Sequence, residues 1–305
     1  MLTRDADAFL AVARGCAPDV GPATARAAFL VAPDGFGLAA ESATDNRYMA
    51  AADAFDAARA SAQHRALQRA LAAEAPTICF PGDPATPDAV FPNNVFATAP
   101  GRLIVGRMRH PVRQREALRQ DIRRFFREQL GREEVDLSAQ PHPCELTGAL
   151  VIDRARGLGF CGLSERCDEA GARLMHAAFG LRATLMFALA PGEYHTNVVL
   201  ALLAGRAALY CPDGVAGDDV DVARVLQALY GPRAIALSAE ERGAFAGNAI
   251  ALSDNAVWMS ATADAALAPA TRTALRDAGF AVRAVRLDAI EAAGGSLRCC
   301  VGEIF

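Results

Sequence analysis

Reactive side chains in this 305-residue chain collect where apolar runs begin. The segment PDAVFPNN (87–94) sets Asp88 and the carboxamides Asn93 and Asn94 around a Phe-Pro pair. CELTG (144–148) puts Glu145 directly before the run GALVID, and EYHTN (193–197) puts His195 and Asn197 directly before VVLALL. Near the end, GGSLRCCVGEIF offers a tight turn at Gly294 and Gly295, followed by Cys299 and Cys300. Each feature alone also fits a structural reading: a histidine or acid at a strand end, or a thiol packed as a small apolar side chain. Together they supply a nucleophile, a general acid/base, an orienting carboxylate and hydrogen-bonding groups for a polar substrate.

Other chemistries lose support on composition. All 31 basic side chains are arginine, with no lysine anywhere in the chain. That removes a Schiff-base lysine, the usual pyridoxal-phosphate enzyme and a P-loop. The eight cysteines form no C-x-x-C pair, and the five histidines (64, 110, 142, 176 and 195) show no i, i+4 pair, so neither a metal nor an organic cofactor is expected. A net charge of −4 gives no footprint for nucleic acid or an anionic membrane. The opening MLTRDADAFLAVARGC carries acids where a secretory signal would be apolar, so a reducing cytoplasm with free thiols is the expected compartment.

Positioning these groups requires a scaffold, and hydropathy patterning outlines one. Helical periods run through 48–73, 112–130, 165–179, 219–230 and 264–278. Between them lie β-type runs at 27–33, 88–98, 102–108, 148–154, 157–163, 197–205, 206–212, 248–253, 255–260 and 280–287. The rhythm is a strand pair with a tight turn, then a helix, repeated several times. Such repetition suggests units about an axis rather than an open parallel sheet, and no G-x-G-x-x-G follows a strand. No low-complexity linker divides the chain, so one domain is expected over 1–305, with 1–26 as an N-terminal helical extension.

The order of motifs resembles the guanidino-group-modifying (pentein) superfamily, and within it the arginine-deiminase-related branch that includes citrulline hydrolases. The residues that carry the resemblance are FPNN (91–94), ELTG (145–148), GLSER (162–166), YHTNV (194–198), GN (247–248), SLRC (296–299) and EI (303–304). The resemblance implies an α/β fold, a five-bladed propeller of ββαβ-type units with pseudo-fivefold symmetry and the active site in its central channel. It implies Cys299 as nucleophile on the central carbon of a guanidinium or ureido group, with a covalent thiouronium-type intermediate. His195 then corresponds to the general acid/base, Glu145 to the acid that holds it, Asp88 and Asn94 to substrate-gripping positions, and Arg113 to a supporting arginine. Asn93 and Asn197 join them as candidate substrate-binding residues. Cys300 is expected to be packed, since adjacent side chains on an extended segment point opposite ways.

One departure bears on substrate. Deiminases and dimethylaminohydrolases carry an acid where this chain has Asn94, and a carboxamide suits a neutral ureido group better than a cation. The expected activity is therefore hydrolysis of a non-peptide C–N bond in citrulline or an arginine relative, towards an ornithine-type product. Deiminase or dimethylaminohydrolase activity, amidino transfer and a catalytically silent propeller-fold binding protein are the alternatives. A papain-type protease fits less well, because its nucleophile lies near the mature N-terminus. The expected partner is a small guanidino or ureido amino acid, with no nucleic acid and no membrane, and a homo-oligomer is compatible with these features.

Overall fold

The computed structural model describes residues 1–49, 55–216 and 220–305. Apolar alternation and runs become five small sheets among the described residues. Three repeat one plan: an antiparallel hairpin, a helical crossover, then a third strand parallel to the second. Phe96–Ala99 pairs with Arg102–Val105, which pairs with Glu133–Asp136. Leu150–Asp153, Leu158–Leu163 and Ala183–Ala188 follow it, as do Leu200–Leu203, Ala207–Tyr210 and Ala234–Ala236. The fourth sheet uses the two ends of the chain, setting Gly302–Ile304 antiparallel to Ala27–Val31, beside Thr77–Phe80. In the fifth, Ala256–Ser260 runs parallel to Ala281–Val285, while Ile250 meets Trp258 only as an isolated bridge, so the run expected at 248–253 forms no regular strand.

The crossover helices bury one face each. Glu169–Phe179 is capped by Asp168, whose carboxylate accepts from the Gly171 N–H at 2.7 Å, and ends at Gly180 in the left-handed conformation. Val222–Tyr230 is capped by Asp221 and turns Val222, Val225, Leu226 and Tyr230 inward. Each such aliphatic side chain contributes roughly 1.5–3 kcal/mol on burial. The helix predicted over 48–73 is present as Ala57–Ala72, and its portion at 50–54 lies outside the described residues, as does residue 219 of the segment 219–230.

Two expected helices are interrupted, each for a visible reason. Segment 112–130 divides into Pro111–Gln114, Arg115–Leu118, Gln120–Arg124 and Phe125–Gln129. Arg113 folds back on Glu116 in a buried pair, and Arg119 leaves helical geometry with ψ 94° while its guanidinium holds Asp121 and the Pro81 carbonyl. Segment 264–278 breaks between Ala261–Ala266 and Pro269–Asp277, because a proline is accommodated at the first turn of a helix but not inside one. The first 26 residues hold the helix Ala6–Ala13 and also a short strand, Leu2–Thr3, paired parallel with Ala183–Ala188. No described helix is long and apolar enough to cross a membrane.

Candidate active site

A single helical turn precedes the first strand in four of the sheets, and these turns carry the polar residues singled out by the sequence. Pro92–Asn94 precedes Phe96–Ala99, Leu146–Ala149 precedes Leu150–Asp153, Thr196–Val199 precedes Leu200–Leu203, and Leu297–Cys300 precedes Gly302–Ile304. Regions expected to be extended strand at 88–98 and 197–205 therefore begin with a turn instead. In the fifth unit Asn248 follows Phe245, whose φ of 65° reverses the chain at the same place.

Hydrogen bonds run from turn to turn. Thr147 donates its hydroxyl to the Asn93 carbonyl at 3.0 Å, and Thr196 donates to the Ala149 carbonyl at 2.5 Å. Asn248 Nδ2 donates to the Asn197 carbonyl at 2.9 Å, and the Cys299 N–H donates to Asn248 Oδ1 at 3.3 Å. The turn 297–300 in turn packs on 92–94. The five segments thus close on one another, and their polar side chains are buried in a common region.

Within it, Glu145 and His195 form one unit. Both are fully buried, and Glu145 Oε2 lies 2.8 Å from His195 Nε2. The other Glu145 oxygen accepts from the Arg109 N–H at 2.9 Å, and Arg166 approaches to 3.5 Å. Burial pushes the Glu145 carboxyl up, but the Arg166 charge and the His195 contact outweigh it and hold it at about 2. Burial moves His195 below its ordinary value, only partly offset by Glu145, so the resting imidazole at neutral pH is uncharged. Its Nδ1 has no hydrogen-bond partner among the described residues. Gly148 makes the close packing possible: a Cβ there would lie 2.5 Å from Asn94 Oδ1 and 2.9 Å from the His195 ring.

Cys299 is buried as well, at 1% exposure. Asn248 Nδ2 lies 3.2 Å from its sulfur, and the thiol faces Asn197 Oδ1 at 3.8 Å. Burial raises the thiol above its ordinary value, against the Asn248 hydrogen bond and the Arg298 and Arg113 charges, so it rests protonated. Cys300, next to it, is buried among apolar side chains and its thiol is pushed up further by burial. The two cysteines share a helical turn rather than an extended segment, so the alternation expected for them does not apply.

A small cavity brings together Asp88, Asn94, Arg113, Arg166, Tyr194 and Cys299. Asn93 and Asn197 are buried beside it but do not line it, and both side-chain atoms of Asn93, Asn94 Oδ1 and Asn197 Nδ2 lack partners among the described residues. Asp88 accepts from the Ser42 hydroxyl at 2.6 Å. Arg113 is held by Glu116 through two bonds of 2.8 and 3.0 Å and by the Phe91 carbonyl at 3.1 Å, with Asp88 at 4.0 Å. The sequence reading assigned nothing to Arg166, which pairs with Asp45 at 2.6 Å and crosses the Tyr194 ring at 5.1 Å, nor to Asn248. Their only signals were their places in GLSER and GN. Asp45 and Ser42 lie in the segment ESATDN (41–46), whose Ser42 and Asn46 line this cavity. Among the described residues no group of three or more His, Cys, Asp or Glu is placed to hold a metal ion.

Residues 32–305 match the profile of the family described as N,N-dimethylarginine dimethylhydrolase, eukaryotic. No curated protein matches the chain. The fold is shared with the N-terminal domain of ArgZ, an arginine dihydrolase from the ornithine–ammonia cycle in cyanobacteria, in its substrate-bound form: TM-score 0.78 at 21% identity, over 91% of this chain and 97% of that one. Unliganded AgrE gives 0.78 at 20% identity over 92% of this chain, but only 39% of the AgrE chain is covered. A dimethylarginine dimethylaminohydrolase bearing an S-methyl-L-thiocitrulline adduct gives 0.69 at 20% identity, over 92% of this chain and all of that one.

Proposed function

The chain belongs to the N,N-dimethylarginine dimethylhydrolase family, hydrolases of guanidino C–N bonds, and on that premise we propose that it converts a ureido amino acid such as citrulline to an ornithine-type product. The observation that carries this reading is the cavity in which Cys299 meets Asp88, Asn94 and two arginines. The five sheets are, in this reading, blades about the ring of turns, with the site on their pseudo-fivefold axis.

Cys299 acts as nucleophile on the ureido carbon, its thiol proton passing to the uncharged His195 as substrate enters. Asn248, already on the sulfur, stabilises the thiolate. His195 protonates the departing nitrogen, which leaves as ammonia, and then takes a proton from the water that attacks the thiocarbamate. Glu145 keeps the imidazole oriented and stabilises its cation. Water attack regenerates the thiol and releases an N-alkyl carbamate, which loses carbon dioxide. Asp88 and Asn94 grip the ureido end, with Arg113 holding the Asp88 side of the cavity and Asn93 and Asn197 lending support from behind. The neutral, unpartnered Asn94 Oδ1 suits an N–H of a ureido group.

A second reading, arginine as the entering substrate, is favoured by charge. Asp45, Asp88, Glu116 and Glu145 outnumber Arg113 and Arg166 around the cavity, which suits a cation. Arginine, citrulline, agmatine and succinylarginine, assayed for ammonia, ornithine and citrulline, separate the two. Ornithine from citrulline supports the proposal; citrulline released as the end product from arginine makes the protein a deiminase. Asn94→Asp should move relative kcat/KM towards arginine by roughly ten- to hundredfold, the effect of leaving a buried polar group mismatched.

A further inference from the structure

Arg298 and Cys299 are consecutive, yet they line different cavities. Arg298 borders a second, small cavity, together with Thr147, Arg154, Asn197 and Glu303. Thr147 and Asn197 come from the same turns that carry Glu145 and His195, so this cavity lies behind the catalytic turns. Its polar wall is unbalanced. Glu303 is held by Arg298 at 2.8 Å, while Arg154 stands 4.0 Å from the same carboxylate oxygen. Arg154 gives one N–H to the Thr98 carbonyl at 2.9 Å and lies over the Phe305 ring at 4.2 Å. One carboxylate thus serves two guanidinium groups, both largely removed from water. Burial, only partly offset by Glu303, brings Arg154 down to about 10, as expected for a cation short of an anion. Asn197, 1% exposed, borders the same space with an Nδ2 that has no partner among the described residues.

We propose that this cavity binds a small planar monoanion of the formate or bicarbonate class, held by the Arg154 guanidinium and the Asn197 carboxamide behind the catalytic turns. A planar oxyanion matches the guanidinium fork with two parallel N–H···O bonds and supplies the missing negative charge. Asn197 Nδ2 gains an acceptor, while its Oδ1 stays on the Cys299 thiol. Bicarbonate is the member of this class that the carbon dioxide of the proposed reaction would generate. That link rests on the proposed function; the site itself does not.

The test is titration of ¹³C-formate and bicarbonate at fixed ionic strength against chloride, read as line broadening and as a rise in Tm. Saturable binding is expected in the wild type and unchanged in Cys299→Ser, where no product can form. Arg154→Gln should weaken it at least tenfold, and Glu303→Gln, which frees Arg298, should tighten it at least threefold. Saturating citrulline should not displace formate. No saturable binding, binding indifferent to both Arg154→Gln and Glu303→Gln, or displacement by citrulline would overturn the site. Should Arg154→Gln not fold, the Glu303→Gln titration decides. A failed substrate assay with intact formate binding would overturn the proposed reaction and leave this site standing.

Discussion

At the scale of single residues, Cys299 and Cys300 differ by what surrounds each sulfur. Only Cys299 borders the cavity and receives a hydrogen bond from Asn248, whereas Cys300 is enclosed by apolar groups. Cys299→Ser should abolish turnover and Cys300→Ser should retain most of it, with a haloacetamidine adding mass at position 299 in the wild type. A dead Cys300→Ser beside an active Cys299→Ser would reverse the assignment. Asn248→Ala tests the contact on sulfur. A hydrogen bond to a charged group is worth about 1.5–3 kcal/mol, so losing it should push the thiol pKa further up. The pH profile of iodoacetamide labelling, already displaced upward in the free protein by burial, should move further up in the variant. An unchanged profile would remove Asn248 from thiolate stabilisation.

At the scale of elements, the single turns before each first strand bring the polar groups together, and two glycines show how tightly. A Cβ at Gly148 would press on Asn94 Oδ1 and the His195 ring, both in the site. A Cβ at Gly302 would lie 2.1 Å from the Phe29 ring, in the sheet that joins the chain ends. Overpacking typically costs about 1–3 kcal/mol, but where it falls differs. Gly302→Ala should lower the urea midpoint with kcat little changed once folded, whereas Gly148→Ala should reduce kcat more than tenfold through displacement of His195. Comparable stability and activity losses in both variants would show that the turn at 148 does not position the site.

At the scale of the whole molecule, the buried Glu145 links stability to pH. Its folded carboxyl lies at about 2 against an unfolded value of 4.5, so its contribution is present above 4.5 and is lost as pH falls towards 2. Between pH 6 and pH 3 this removes roughly 2 kcal/mol from the wild type. Buried neutral His195 acts in the same direction at higher pH, because the unfolded chain takes up its proton first. Urea unfolding at pH 6 and pH 3 should therefore show a steeper acid loss in wild type than in Glu145→Gln, by about that amount. Equal losses would mean that Glu145 is not held ionised by Arg166 and His195.

What the sequence determined by itself was the set of chemical types and their order along the chain. Asp88, Asn94, Glu145, His195 and Cys299 all stand where a polar motif meets an apolar run, and that juxtaposition survives in one dimension because each unit repeats it. The strands at 27–31, 158–163 and 256–260 were legible for the same reason, since their alternation and length are local. The third strands Glu133–Asp136 and Ala234–Ala236 were not, being short and weakly apolar and stabilised by pairing with partners 26 or more residues away. The breaks in 112–130 were equally hidden, because the Arg113–Glu116 pair and the Arg119 contacts with Asp121 and Pro81 form only once the segment is packed. Only the tertiary structure decided which residues touch. It paired His195 with Glu145, gathered Asn248 and Asn197 around Cys299, added Arg166 and Asp45, and placed Arg298 and Cys299 on two different cavities. Such proximity depends on turns closing against one another across 47 residues or more, and no local pattern encodes that distance.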